Sequence, residues 1–376
     1  MCVYVRGICL SMIIGILLPG CALAAKPTGT LPLMKNVKRI VFVGDSITDA
    51  SPWPDWVVET LRANGYPHLE FRNAAVCGDT TTLVMARMDR DVLAYKPDMI
   101  ILLIGTNDAK GTPEAYRTNL EKMLGTFAAT GAKIVQLTLP PALNGMGDNV
   151  DKNNDVIREI TRKHGIPLGD PHALFLQEMR AGKTLLCDDH LHPNLDGWRA
   201  IGRATLDALG FSGPMLEKVP AFPGTIADWY SGPALGVKSI EEFLKDHGEM
   251  ITPAFDPSKA GWKPYDAKSI IEKASWADVG AFQRGALAPI GYPVPANSFG
   301  IACTVVKVAA DTKYVMHVSD FATMAVWLNG EQVFYNANRI HGLHPDAERV
   351  TVTLKKGENR IVAVSNIYFY VTLTKE

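Results

Sequence analysis

Between Arg39 and Gly210, short apolar runs recur between amphipathic stretches, and this alternation does most to constrain the fold. The runs Ile40-Val41-Phe42-Val43, Leu69-Glu70-Phe71, Met99-Ile100-Ile101-Leu102-Leu103-Ile104 and Lys133-Ile134-Val135-Gln136-Leu137 are continuous rather than alternating. A strand apolar at successive residues needs cover on both faces, which parallel sheets receive from crossover helices. Trp56 to Asn64, Leu83 to Tyr95, Pro113 to Ala129 and Asp151 to His164 read as those helices, with Pro54 and Pro113 suited to first turns. The pattern predicts an α/β/α sandwich.

After Gly210 the grammar changes. Pro214, Pro220, Pro223, Gly224 and Pro233 break helical periodicity, and a boundary is expected between Ser212 and Pro220. The chain of 376 residues is long enough for two domains, here 36–212 and 220–376. Ile240 to His247 reads as a short helix. Beyond Phe299 strands are expected: Met324 to Phe334 carries Asn329-Gly330 between β-rich arms, a strong hairpin signal. Val350 to Leu354 alternates, Lys355 to Asn359 turns, and Ile361 to Leu373 returns as one strand. The second part is expected to be an all-β sandwich.

The first 25 residues have signal-peptide order: Arg6, an apolar stretch from Ile8 to Leu18, then small residues ending Ala24-Ala25. That stretch is too short to cross about 30 Å of hydrocarbon, so export to the periplasm or outside is expected rather than a membrane span. Leu18-Pro19-Gly20-Cys21 offers a second reading as a lipoprotein cleavage site with Cys21 acylated, although a Pro before the Gly is unusual there. Removing the leader leaves Cys77, Cys187 and Cys303, too few for a disulfide framework. Buried free thiols are the plain expectation, and a Cys77–Cys187 link is the alternative. A net charge of −1 with no basic block disfavours nucleic-acid binding.

The first apolar strand ends in Gly44-Asp45-Ser46-Ile47-Thr48, which places a serine where open α/β sheets hold their ligands. Alone, Ser46 reads more readily as a helix N-cap. The third strand ends in Gly105-Thr106-Asn107-Asp108, and the loop after the second contains Asn73 and Gly78. Backbone N–H groups at Ser46 and Gly78 with the Asn107 amide could surround a developing oxyanion; the plainer roles of Asn107 and Gly78 are turn formation and positive φ. A serine also needs a base. Asp188-Asp189-His190-Leu191-His192-Pro193 precedes a helical stretch from Asn194, and Asp189 and His192 are three apart, one side of a helical turn. Asp188, His190 and His192 also suit zinc, but no third ligand cluster accompanies them. Trp53 and Trp56 either pack the first helix or line a pocket.

Together these blocks resemble the SGNH, or GDSL, hydrolase superfamily of serine esterases and lipases, from Arg39 to Gly210. Gly44-Asp45-Ser46-Ile47 matches its first block with Ile where Leu is common; Asn73 through Gly78, Gly105 through Asp108, and Asp189, His192 and Pro193 match the others. The resemblance implies a flavodoxin-like sandwich, Ser46 as nucleophile, His192 as base, Asp189 as its partner, and Ser46, Gly78 and Asn107 as oxyanion donors. It implies no cofactor and no metal. The expected chemistry is two-step acyl transfer through an acyl-enzyme.

Trp327 to Glu331 and Leu354 to Asn359 resemble the sugar-binding-like jelly rolls of secreted carbohydrate-active enzymes; Tyr368, Phe369 and Tyr370 could offer a stacking face, although such a run is more often split between core and interface. Such turns report fold more than ligand. The expected activity is removal of O-acetyl or short acyl groups from carbohydrate. The alternatives are a lipolytic or short-chain acyl esterase, an acyltransferase, and a carbohydrate-binding protein without catalysis.

Overall fold

The computed structural model describes residues 31–49, 51–295, 298–337 and 342–376. The expected leader and Cys21 lie outside the described residues.

The first unit is built on five parallel strands: β1 (Arg39–Gly44), β2 (Glu70–Asn73), β3 (Met99–Leu103), β4 (Lys133–Leu137) and β5 (Leu168–Gly169). Their order is β2-β1-β3-β4-β5, the flavodoxin-like arrangement. β3 is buried at all five residues, as a strand covered on both faces must be. The helices α1 (Trp53–Ala63), α2 (Thr81–Asp91), α3 (Pro113–Ala129), α4 (Gly147–His164), α5 (Pro171–Arg180) and α6 (Leu195–Ala208) provide that cover. They pack as two groups: α6 against α1 and α5, and α3 against α2 and α4. Thr80, Thr112, Asp170 and Asn194 cap four of them by accepting backbone N–H bonds, each cap contributing about 1 kcal/mol. α1 starts at Trp53, earlier than its apolar spacing suggests. The Trp53 ring is fully buried edge-on to Phe42 and its Nε1 donates to Ile47 O at 3.2 Å, so it packs the core and lines no pocket.

The second unit contains a six-stranded antiparallel sheet in the order β11-β10-β13-β8-β6-β7 and a three-stranded one in the order β12-β9-β14. The strands are β6 (Tyr230–Ser231), β7 (Lys263–Pro264), β8 (Gly300–Val308), β9 (Thr312–Ser319), β10 (Met324–Leu328), β11 (Glu331–Asn336), β12 (Glu348–Leu354), β13 (Gly357–Ser365) and β14 (Tyr370–Lys375). Val326, Ile361 and Ala363 of the larger sheet pack on Met316, Val318 and Val371 of the smaller. On its opposite face, Trp327, Val362 and Val364 pack on Phe243 and Trp262, which explains why β10 is buried throughout. Phe243 belongs to α7 (Ile240–His247); α8 (Ala267–Lys273) and α9 (Trp276–Gln283) follow it in the chain. Asn329 and Gly330 have φ of 53° and 88°, the left-handed pair a two-residue hairpin needs.

The stretch Ile361 to Leu373 is not one strand. It divides into β13 and β14, which pair in different sheets. A strand of that length would run about 43 Å, far beyond one face of a small sandwich. The chain turns at Asn366, whose N–H donates to Thr323 O at 3.3 Å.

The units meet along β2 and α1. Arg284 pairs with Asp55 at 3.2 Å, both buried, and Arg72 Nη2 donates to Ala347 O at 2.6 Å. A Cβ at Gly342 would stand 2.4 Å from Ala75 O, so only glycine permits this approach.

Candidate active site

In this strand order the carboxyl ends of β1 and β3 diverge to neighbouring helices, leaving a crevice between them. β1 delivers Ser46 to that crevice through a tight turn. Thr48 N–H and Asp49 N–H both donate to Asp45 O at 2.9 Å, and Ile47 N–H donates to Asp45 Oδ1 at 3.0 Å. Gly44 makes the turn possible, because a Cβ there would lie 2.5 Å from Thr48 Oγ1 and 2.7 Å from Leu103 O. Asn73 fastens the turn from β2, donating to Thr48 O at 2.7 Å.

Ser46 is half-buried, and its Oγ lies 2.8 Å from His192 Nε2. His192 Nδ1 lies 2.5 Å from Asp189 Oδ2. The two residues do not share a helical turn, as their spacing suggested. Residues 188–192 form bends ahead of α6, with His190 at φ 58°, and the three-residue separation works through a carboxylate-centred turn. Asp189 Oδ1 accepts the N–H groups of Leu191 and His192, each at 3.0 Å, while Oδ2 faces the imidazole. Burial acts to raise the Asp189 carboxyl, but the His192 side chain and these backbone donors outweigh it and hold it below its ordinary value. It therefore stays ionised. Cys187 N–H donates to His192 O at 2.8 Å and Asn194 caps α6, so the loop is held at both ends.

Gly78 and Asn107 come to the same edge. Gly78 has φ +83° and nothing within 4 Å of where a Cβ would be, so glycine is demanded there by the backbone angle rather than by crowding. Its loop is held from both sides: Cys77 N–H donates to Asp49 Oδ2 at 2.9 Å, and Asn107 Nδ2 donates to Asp79 O at 3.0 Å. Asp79 pairs with Arg87, and Asp108 accepts from Thr81 N at 3.0 Å. Asn153, which the sequence reading passed over, donates to Gly105 O at 3.0 Å from within α4. Its only sequence signal is a polar residue on the buried side of an amphipathic helix.

Asp45 has no role in the sequence reading beyond its motif. It is fully buried, its Oδ2 has no partner, and burial, reinforced by Asp108 and Asp79, pushes its carboxyl up to about 7. Burial likewise pushes Asp49 up to about 7.

Among the described residues no group of three His, Cys, Asp or Glu side chains could hold a metal ion. Asp188 and His190 are exposed. Cys77 and Cys187 are exposed free thiols, so burial as a small hydrophobe holds only for Cys303. Residues 368–370 take the plainer of their two readings and offer no stacking face: Phe369 and Tyr370 are fully buried, and Tyr368 donates to Asp278 Oδ1 at 2.7 Å.

A half-buried hydroxyl bonded to an imidazole that is bonded to a carboxylate, at the mouth of a parallel sheet, can transfer acyl groups. The chain is a carboxylic ester hydrolase. Residues 42–200 match the model of the GDSL-like Lipase/Acylhydrolase family. An acetylxylan esterase of Geobacillus stearothermophilus is 28% identical over 211 residues, covering 46% of this chain and 94% of that protein. An arylesterase of Vibrio mimicus is 25% identical over 166 residues, covering 42% of this chain and 80% of that protein. An uncharacterized lipoprotein of Bacillus subtilis, YqeF, is 26% identical over 181 residues, covering 38% of this chain and 74% of that protein.

Proposed function

We propose that the protein is an exported serine esterase that removes O-acetyl or short acyl groups from carbohydrate through Ser46, His192 and Asp189. The observation that carries this reading is the hydrogen-bonded series Ser46 Oγ, His192 Nε2, His192 Nδ1 and Asp189 Oδ2. His192 takes the Ser46 proton as Oγ attacks the ester carbonyl; the N–H groups of Ser46 and Gly78 and the Asn107 amide receive the oxyanion; His192 then protonates the leaving alcohol. Water repeats the sequence on the acyl-enzyme. Ionised Asp189 orients the ring and steadies the imidazolium.

The carbohydrate preference rests on the acetylxylan esterase relative and on a second unit of two antiparallel sheets, read here as a jelly-roll-like accessory domain over 220–376. The lipoprotein-named relative favours an exported location, either soluble or anchored at Cys21. The test is a paired assay of the wild type and Ser46→Ala on p-nitrophenyl acetate, p-nitrophenyl octanoate and acetylated xylan. Acetate release from xylan that disappears in the variant is the expected result. Preference for octanoate would replace the carbohydrate reading with a lipolytic one, and unchanged hydrolysis by the variant would remove Ser46 from the mechanism.

A further inference from the structure

Gly78 can aim its N–H at an oxyanion only if the loop between β2 and α2 is held still. Most of its ties come from the first unit. Ala74 N–H donates to Phe42 O at 2.8 Å and Val76 N–H to Gly44 O at 3.2 Å, continuing the β1 pairing past the end of β2. Asn107 Nδ2 holds Asp79 O at 3.0 Å. Between these anchors, Cys77 N–H donates to Asp49 Oδ2 at 2.9 Å. Gly78 follows at φ +83°, where a glycine backbone has little intrinsic preference, so the Cys77 bond is the last fixed point before the Gly78 peptide.

Asp49 closes the nucleophile turn, its own N–H donating to Asp45 O at 2.9 Å. Its carboxylate therefore joins two parts of the site, the turn that carries Ser46 and the loop that carries Gly78. The acyl-transfer chemistry itself gives this carboxylate no task.

The second unit reaches the same group. Leu343 N–H acts on the Asp49 carboxylate together with Cys77 N–H, both favouring its ionised form against burial. Leu343 is 3% exposed and packed with Ile270, Ala281, Phe282 and Tyr370, so its position is set by α8, α9 and β14. Gly342 brings it in: a Cβ there would stand 2.4 Å from Ala75 O and 3.3 Å from Asn73 O, which lays the segment directly on the start of the loop. Asp278 of α9, fixed by the Tyr368 hydroxyl at 2.7 Å, adds a charge that bears on both Asp49 and the Cys77 thiol. Here the boundary between the units runs up to the active-site edge.

We propose that Asp49 is a positioning residue through which the second unit fixes the oxyanion loop: Leu343 N–H holds the carboxylate, the carboxylate holds Cys77 N–H, and that bond sets the aim of Gly78 N–H. This role rests on the parts given above to Ser46 and Gly78, and it makes the second unit a component of the catalytic apparatus.

The test compares the wild-type full chain with Asp49→Ala, Asp49→Asn, Gly342→Ala and Ser46→Ala on p-nitrophenyl acetate at pH 8, where a carboxyl pushed up to about 7 is ionised. Phenylboronate is the inhibitor, because its tetrahedral adduct on Ser46 puts an oxygen where the oxyanion forms. Asp49→Ala should lower kcat about 10- to 100-fold, the scale of a misaimed rather than a missing donor, with KM within about twofold of wild type. The phenylboronate Ki should rise in step, a readout that a smaller folded fraction would not move. Asp49→Asn keeps an acceptor for Cys77 N–H but turns an amide N–H toward that of Leu343, so its kcat should lie between those of Asp49→Ala and the wild type. Gly342→Ala should lower kcat about three- to tenfold, as the added methyl lifts Leu343 away from Asp49. Wild-type kcat in Asp49→Ala or in Gly342→Ala, or a Ki that stays fixed while kcat falls, would overturn the proposal with the serine mechanism intact. Hydrolysis that survives Ser46→Ala would overturn that mechanism and the role of Asp49 with it.

Discussion

At the carboxyl edge of the parallel sheet, polar side chains form a series that opens to solvent, whereas at the seam between the units they are sealed away from it. Asp189 keeps about half its side-chain exposure and is held ionised by hydrogen bonds. Asp55, in the seam, is 1% exposed, and burial pushes its carboxyl up to about 6 against the pull of Arg284. Geometry at the edge is therefore set by donors and acceptors, and geometry at the seam by packing. A lesion at the edge should cost rate and spare stability, and a lesion in the seam should do the reverse.

The sharpest trial of that contrast is Asp189→Asn. An amide cannot stabilise the imidazolium and disturbs the ring tautomer, so turnover of p-nitrophenyl acetate should fall by about 10⁴-fold with the melting curve unmoved. A stability loss of comparable size would dissolve the distinction. At the seam, Arg284→Met leaves a buried carboxylate without its cation and should destabilise the chain by about 3–5 kcal/mol in urea denaturation. Pairing it with Asp55→Asn should recover much of that loss, and kcat of the folded double variant should stay near wild type. Back at the edge, Asn107→Ala removes one oxyanion donor and should lower kcat by about 10²–10³-fold. Its loop anchor on Asp79 O is lost too, so a change confined to KM would count against an oxyanion role.

The smallest effect is expected from Asp45→Asn, which lies between the two cases because it is a buried acid placed at the edge. A carboxyl of ordinary value 3.8 raised to about 7 binds its proton more tightly in the folded state. The folded protein then holds more protons than the unfolded one across that interval, so this group's stabilisation is present at low pH and is lost as pH rises. The amide should flatten the decline by about 1.4 kcal/mol per pH unit, read from urea midpoints. An unaltered slope would mean that Asp45 is ionised in the folded protein.

The edge was far more legible in the sequence than the seam. β1 and β3 follow apolar runs and β4 a run broken only by Gln136, and α3 runs from Pro113 to Ala129 as its proline and periodicity indicate. Ser46, Gly78, Asn107, Asp189 and His192 arrive together because each follows a strand or precedes a helix whose direction the sheet dictates. β5 has two residues, too few to show a period, and α5, α8 and α9 are short. The seam left almost no trace. Arg284 and Asp55 are far apart in the chain, and nothing local marks either as buried until the units are packed. The separation of β13 from β14 escaped for a related reason: local β character is continuous there, and only the thickness of the sandwich imposes the turn.

β2 is the outer strand of the parallel sheet, with the segment around Gly342 and Ala347 drawn along it. An uncovered strand of this kind is a template for pairing with other chains. The second unit therefore occupies part of an edge at which another chain could otherwise pair. The hydrolase half is correspondingly poor material for transplantation into fusions: cut free, it would carry away both a bare strand and the orphaned carboxylate of Asp55.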